Sequence, residues 1–177
     1  MLIFGLVLVA VLGYLVWFQN SSPDTADNAA PSVKTTASAT SCQTSNLTAT
    51  LTNGTGTAGT YYYTLTLTNK GTTSCTVTGS PTITALDTDG KTVGTTTPAA
   101  HTATAITIAA GAKAYSSIGF PNNGNFDSGV CKAMKSLVIY PPSQTDGLTI
   151  ANIDSYNSTF TGMYCQALTI TDFSDKQ

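Results

Sequence analysis

Tyr61-Tyr62-Tyr63-Thr64-Leu65-Thr66-Leu67-Thr68 alternates with a period of two. Successive side chains of an extended chain point to opposite faces, so Tyr61, Tyr63, Leu65 and Leu67 share one side and Tyr62, Thr64, Thr66 and Thr68 the other. Such a segment is read as a strand with one buried and one wet face. Threonine suits the wet face because its branched stem fits the pleat while its hydroxyl meets water. The alternation returns in Leu47–Leu51, Cys75–Thr78, Ile106–Ile108 and Leu168–Ile170. Leu137-Val138-Ile139-Tyr140 is continuously apolar, which predicts a central strand halted by Pro141-Pro142.

Working outward, turn signals separate these runs. Asn53-Gly54, Asn69-Lys70-Gly71, Asp89-Gly90 and Ala110-Gly111 each offer a residue that tolerates positive φ. A hairpin is expected between strands at Thr82–Leu86 and Lys91–Thr95. Asp127–Ser136 has room for one short helical turn. Helical periodicity of useful length is lacking, so an all-β, antiparallel β-sandwich of about seven to nine strands is predicted.

Composition narrows the chemistry. The chain has 177 residues, a formal net charge of -2 and 9% charged residues, against about 25% in an ordinary domain. All basic side chains but the single His are Lys and all acidic ones Asp; Arg and Glu are missing. Without a basic cluster no nucleic acid is expected as a partner. With one imidazole and no Glu or Arg, the usual acid, base and oxyanion groups are scarce, so neither an enzyme nor a cofactor is expected.

Residues 1–18, MLIFGLVLVAVLGYLVWF, carry no charge and no amide. As a helix they would reach about 27 Å, close to the thickness of a bilayer core. Tyr14, Trp17 and Phe18 stand at the downstream end, where aromatic rings favour the headgroup boundary. The run exceeds a typical signal-peptide core and has no basic segment before it, which favours an uncleaved single-pass anchor in the lipid bilayer over a cleaved leader. Residues 19–41 are rich in Ser, Thr, Ala, Pro and Asp, with Val33 the one branched aliphatic side chain. They are expected to form a flexible tether with ends about 25 Å apart. Residues 42–177 then form the folded domain.

Cys42, Cys75, Cys131 and Cys165 all follow the apolar segment, and none forms a C-x-x-C pair. That spacing disfavours zinc and favours two disulfides in an oxidising, extracytoplasmic compartment. Three pairings are open. Cys42–Cys75 with Cys131–Cys165 is preferred because it joins neighbours in sequence; each loop of about 35 residues would stabilise by roughly 3–4 kcal/mol.

Other positions offer weaker chemistry. His101 stands alone in Pro98-Ala99-Ala100-His101-Thr102, with no nucleophile-elbow sequence to complete a Ser-His-Asp triad. His101 with Met134 or Met163 is too small a set for copper once the cysteines are bridged. Asp87-Thr88-Asp89-Gly90 resembles the opening of a calcium loop, but no acidic residue closes it, and the hairpin turn explains the same residues. Tyr62, on the wet face of the 61–68 strand, is the candidate surface recognition residue. Asn46, Asn53 and Asn157 begin glycosylation sequons that threonine abundance makes common by chance.

Thr68-Asn69-Lys70-Gly71, Cys75-Thr76-Val77-Thr78-Gly79-Ser80-Pro81, Asp89-Gly90-Lys91, Ala110-Gly111-Ala112, Cys131, Tyr140-Pro141-Pro142 and Cys165 follow one another in this order. Taken together, they resemble the bacterial exported family called domain of unknown function 4232, which is common in actinobacterial envelope proteins. That family usually has an aromatic residue where Ser80 stands here. The resemblance implies an immunoglobulin-like exported sandwich and transfers no catalytic residue. The function expected is therefore a membrane-anchored cell-envelope domain that binds an unknown envelope or extracellular ligand or has a structural role. A pilin-like surface subunit is the alternative, although Ser21-Ser22-Pro23 would break a long helix early and no Glu lies near the start. A small envelope enzyme or metal carrier ranks behind both.

Overall fold

The computed structural model describes residues 40–52, 54–153, 162–166 and 168–177. The expected anchor at 1–18 and nearly all of the tether at 19–41 lie outside them. Among the described residues no helix is long and apolar enough to cross a membrane. Helical structure is limited there to two 3-10 turns, Thr44–Asn46 and Asn123–Asn125. The second comes just before the 127–136 segment, which itself contains no helical turn.

The remaining elements are strands. In chain order they are β1 (Leu47–Thr52), β2 (Gly56–Thr57), β3 (Thr60–Asn69), β4 (Cys75–Thr78), β5 (Thr82–Leu86), β6 (Thr92–Thr96) and β7 (Ala105–Ile108). They continue as β8 (Lys113–Pro121), β9 (Lys132–Ala133), β10 (Ser136–Tyr140), β11 (Leu148–Ala151), β12 (Met163–Tyr164) and β13 (Thr169–Ile170). Of these thirteen, nine span four or more residues, while β2, β9, β12 and β13 are two-residue pieces.

All strand pairs are antiparallel. One sheet runs β1-β3-β8-β13 with β2 added to β3, and a second runs β11-β10-β5-β6. β4 pairs with β7, and β9 with β12. β10 is central in its sheet, as its apolar run predicts, and it ends at Pro141, which has no N–H to continue a ladder. The hairpin forms as β5 and β6, with Asp87 Oδ1 accepting from the backbone N–H of Asp89 at 3.0 Å and of Lys91 at 2.8 Å.

The core lies between the two larger sheets. Leu47, Leu51, Tyr63, Leu65, Leu67, Ile118 and Phe120 from the first meet Ile83, Ala85, Leu137, Ile139 and Ile150 from the second in one buried cluster. Fully burying one such aliphatic side chain stabilises by roughly 1.5–3 kcal/mol. Tyr63 and Phe120 meet edge to face, with centroids 5.5 Å apart and planes at 87°. The alternation in β3 holds for Tyr63, Leu65 and Leu67, but Thr66 on the opposite side is only 7% exposed. Its cross-strand neighbours are Thr50 and Tyr115, so the outer face there is shielded by its own large and branched side chains.

The Asn69-Lys70-Gly71 turn is built differently from the expected positive-φ type. Gly90 and Gly111 do take positive φ, at 77° and 76°, whereas Gly71 does not. Instead the buried Asn69 amide sets the turn. Its Oδ1 accepts from Gly71 N–H at 2.9 Å. Its Nδ2 donates to Thr73 O at 2.8 Å and to Ile108 O at 3.0 Å. One side chain thus ties the end of β3 to the end of β7 with all its hydrogen-bonding atoms in use.

Candidate functional site

The four cysteines form two disulfides, Cys42–Cys75 and Cys131–Cys165, across sequence separations of 33 and 34. The first links the start of the domain to β4, beside a parallel bridge between Ser41 and Thr76. Among the described residues no three His, Cys, Asp or Glu side chains gather in a way that could hold a metal ion. Asp87 spends its carboxylate on its own turn, and the Asn53 and Asn157 sequons lie outside the described residues.

His101 sits in the 97–104 connection between β6 and β7. Its Nε2 lies 2.9 and 2.8 Å from the two carboxylate oxygens of Asp172, and its Nδ1 lies 2.9 Å from the carbonyl oxygen of Ala99. Both partners can only accept, so the geometry favours a ring that donates from both nitrogens, the protonated form. The Ala99 carbonyl first, and the Asp172 carboxylate second, raise its pKa above the ordinary 6.5. Ser80 Oγ donates to Asp172 Oδ1 at 2.5 Å. This hydroxyl first, and His101 second, lower the Asp172 pKa below 3.8.

Ser, His and Asp are therefore brought together, but not in the Ser-His-Asp order of a nucleophilic triad. Asp172 stands between the other two, and Ser80 bonds to the carboxylate rather than to the imidazole. A general base needs a free lone pair within reach of the nucleophile's proton. Here both His101 nitrogens face acceptors, Ala99 O and the Asp172 carboxylate, and neither faces Ser80. What the arrangement does is fasten three distant segments: the turn between β4 and β5, the 97–104 connection and the C-terminal stretch after β13.

Local structure positions each of the three. Gly79 has φ of 91°, a conformation that L side chains avoid, and this turn presents Ser80. The Gly79 carbonyl accepts from Phe173 N–H at 3.0 Å, which sets Asp172 beside it. Two open depressions of about 620 and 530 Å³ flank His101. Pro98 and Ala99 border both, and Tyr140, Pro141 and Pro142 wall the second. His101 and Asp172 are the only charged groups in either lining.

Sequence reading singled out His101 but missed Ser80 and Asp172. No local pattern signals them, because the bond between them spans 92 positions. Tyr62 is half-buried, and its ring crosses Gly119, its partner in β8. A Cβ built on Gly119 would stand 2.9 Å from Tyr62 Cε1, so the absence of a side chain there gives the ring its seat.

The family model described as a domain of unknown function, DUF4232, matches residues 42–174. No curated protein and no solved structure shows significant similarity to the chain.

Proposed function

The chain belongs to the family described as domain of unknown function DUF4232, and from that premise we propose that it is a non-catalytic bacterial cell-envelope domain acting by binding or structural support. In this reading residues 1–18 anchor it in the membrane as a single pass and residues 19–41 act as a tether. The folded part, an immunoglobulin-like β-sandwich built on the two facing sheets, stands on the extracytoplasmic side.

The pair of disulfides carries the reading. Such bonds persist in oxidising compartments and are reduced in a bacterial cytosol, and here they follow eighteen uninterrupted apolar and aromatic residues that could hold the chain at a membrane. The order of Ser80, Asp172 and His101 supports a role without turnover, and the scarcity of charge supports one without nucleic acid.

Full-length chain expressed in a bacterial host tests this. It is expected in the membrane fraction, degraded by protease added to spheroplasts, with thiols that resist alkylation until reductant is added. A cytosolic chain with four free thiols overturns the placement. Ester or peptide turnover that disappears in His101→Ala overturns the non-catalytic role.

A further inference from the structure

The outward face of the β1-β3-β8 sheet carries a pattern that the sandwich does not require. Strand register aligns Thr52, Thr64 and Ser117 in one row across the sheet. Thr50, Thr66 and Tyr115 form the next. Further along β3, the Tyr62 ring lies over Gly119 on this same face. Rows are about 6.8 Å apart along the strands and strands about 4.8 Å apart across them, so hydroxyls recur on a regular grid with a tyrosine ring at either end. β1, β2, β3, β8 and β13 together contain one charged side chain, Lys113, at the start of β8.

A depression of about 400 Å³ opens on this grid, lined by Thr64, Tyr115, Ser117, Thr171, Ser174 and Lys176. That volume lies within the range of small-ligand sites. Thr64 and Ser117 bring hydroxyls to it and Tyr115 an aromatic ring, while Thr171 Oγ1 accepts from the Ser117 N–H and Ser174 Oγ bonds to the Lys176 backbone. Asp172 also borders it but is already engaged by Ser80 and His101.

We propose that this hydroxyl-and-tyrosine face binds a neutral polysaccharide, with one sugar unit seated in the Tyr115 depression and the strand continuing toward Tyr62. The inference rests on the envelope-binding reading above and names the ligand class for it. A pyranose matches the face on both counts: its equatorial hydroxyls donate and accept as threonine does, and its C–H face stacks on an aromatic ring. A nucleic acid would need a row of cations, which is missing. A protein partner would need a desolvated apolar anchor flanking the rings, and the positions between them are threonine, serine and glycine. An ordered lattice such as ice would need a plane, whereas strands in a sheet twist by about 20–25° each.

Full-length protein in detergent is titrated with three soluble hexasaccharides, of β-linked glucose, N-acetylglucosamine and mannose, and followed by calorimetry. Saturable binding of at least one is expected, weakened about tenfold by Tyr115→Ala. Thr64→Val keeps the shape and strand preference while removing a hydroxyl, and is expected to weaken binding severalfold with an unchanged melting temperature. Gly119→Ala, which pushes the Tyr62 ring off its seat, is expected to weaken it as well. No binding of any of the three at millimolar sugar, or binding indifferent to Thr64→Val and Tyr115→Ala, overturns the proposal. Shaping of ice crystals without sugar binding overturns it in favour of a lattice. The spheroplast experiment reads out separately: a chain that is extracytoplasmic but binds no sugar sinks this inference alone, whereas a cytosolic chain sinks the reading beneath it.

Discussion

Replacing Asn69 by alanine would leave the Thr73 and Ile108 carbonyls and the Gly71 N–H without their partner. A buried polar group stripped of its hydrogen bond costs about 1–3 kcal/mol, so Asn69→Ala is expected to destabilise by roughly 3 kcal/mol in urea unfolding. Asn69→Asp should also destabilise, because a carboxylate cannot donate to the two carbonyls. His101 and Asp172 make a pH prediction. His101 has a raised pKa, so its contribution is complete below the ordinary 6.5 and fades as pH climbs through the raised value. Asp172 has a lowered pKa, so its contribution is complete above the ordinary 3.8 and fades as pH drops through the lowered value. The melting-temperature gap between wild type and His101→Gln should therefore be widest between about pH 4 and 6 and narrow toward pH 9. Single residues were unevenly legible in the sequence. Tyr62 could be assigned its face from the alternation alone, whereas the partners of His101 come from segments with no local signature.

At the scale of elements, alternation of period two marks β1, β3, β4 and β7, and a continuous apolar run marks β10. β2, β9 and β12 are two residues long, a single period with no repeat, so no alternation in the sequence could mark them. The same argument explains the 69–71 turn, where the sequence marks a reversal but not the side-chain bond that makes it. Disulfides belong to this scale too. Cys42→Ser with Cys75→Ser opens a loop of 33 residues and is expected to cost about 3–4 kcal/mol on chain-entropy grounds. Cys131→Ser with Cys165→Ser opens one of 34, and its loss should be similar. Paired urea titrations of the two double variants check this; a difference beyond about 2 kcal/mol would show that loop length does not control it.

For the whole domain, what had to be supplied by structure was the long-range order of strands. β3 pairs along its length with β8, from Thr60 with Pro121 to Thr68 with Lys113, and no local pattern fixes which distant strand becomes the neighbour. The far edge of β8 is covered only by residues 169–174. Thr171 N–H reaches Ser117 O at 3.0 Å, and Tyr115 and Ser174 exchange two backbone bonds of 2.8 Å. Deleting residues 168–177 removes these bonds together with Phe173 from the core, and is expected to yield a chain that binds hydrophobic dye and melts without a cooperative transition.

That late closure sets the order of events in biogenesis. A polypeptide emerging amino-terminus first has an unsatisfied β8 edge until residues 169–174 have followed, and Cys131 waits for Cys165 as well. The native contacts of this sheet therefore cannot all form before residues 169–174 become available to β8.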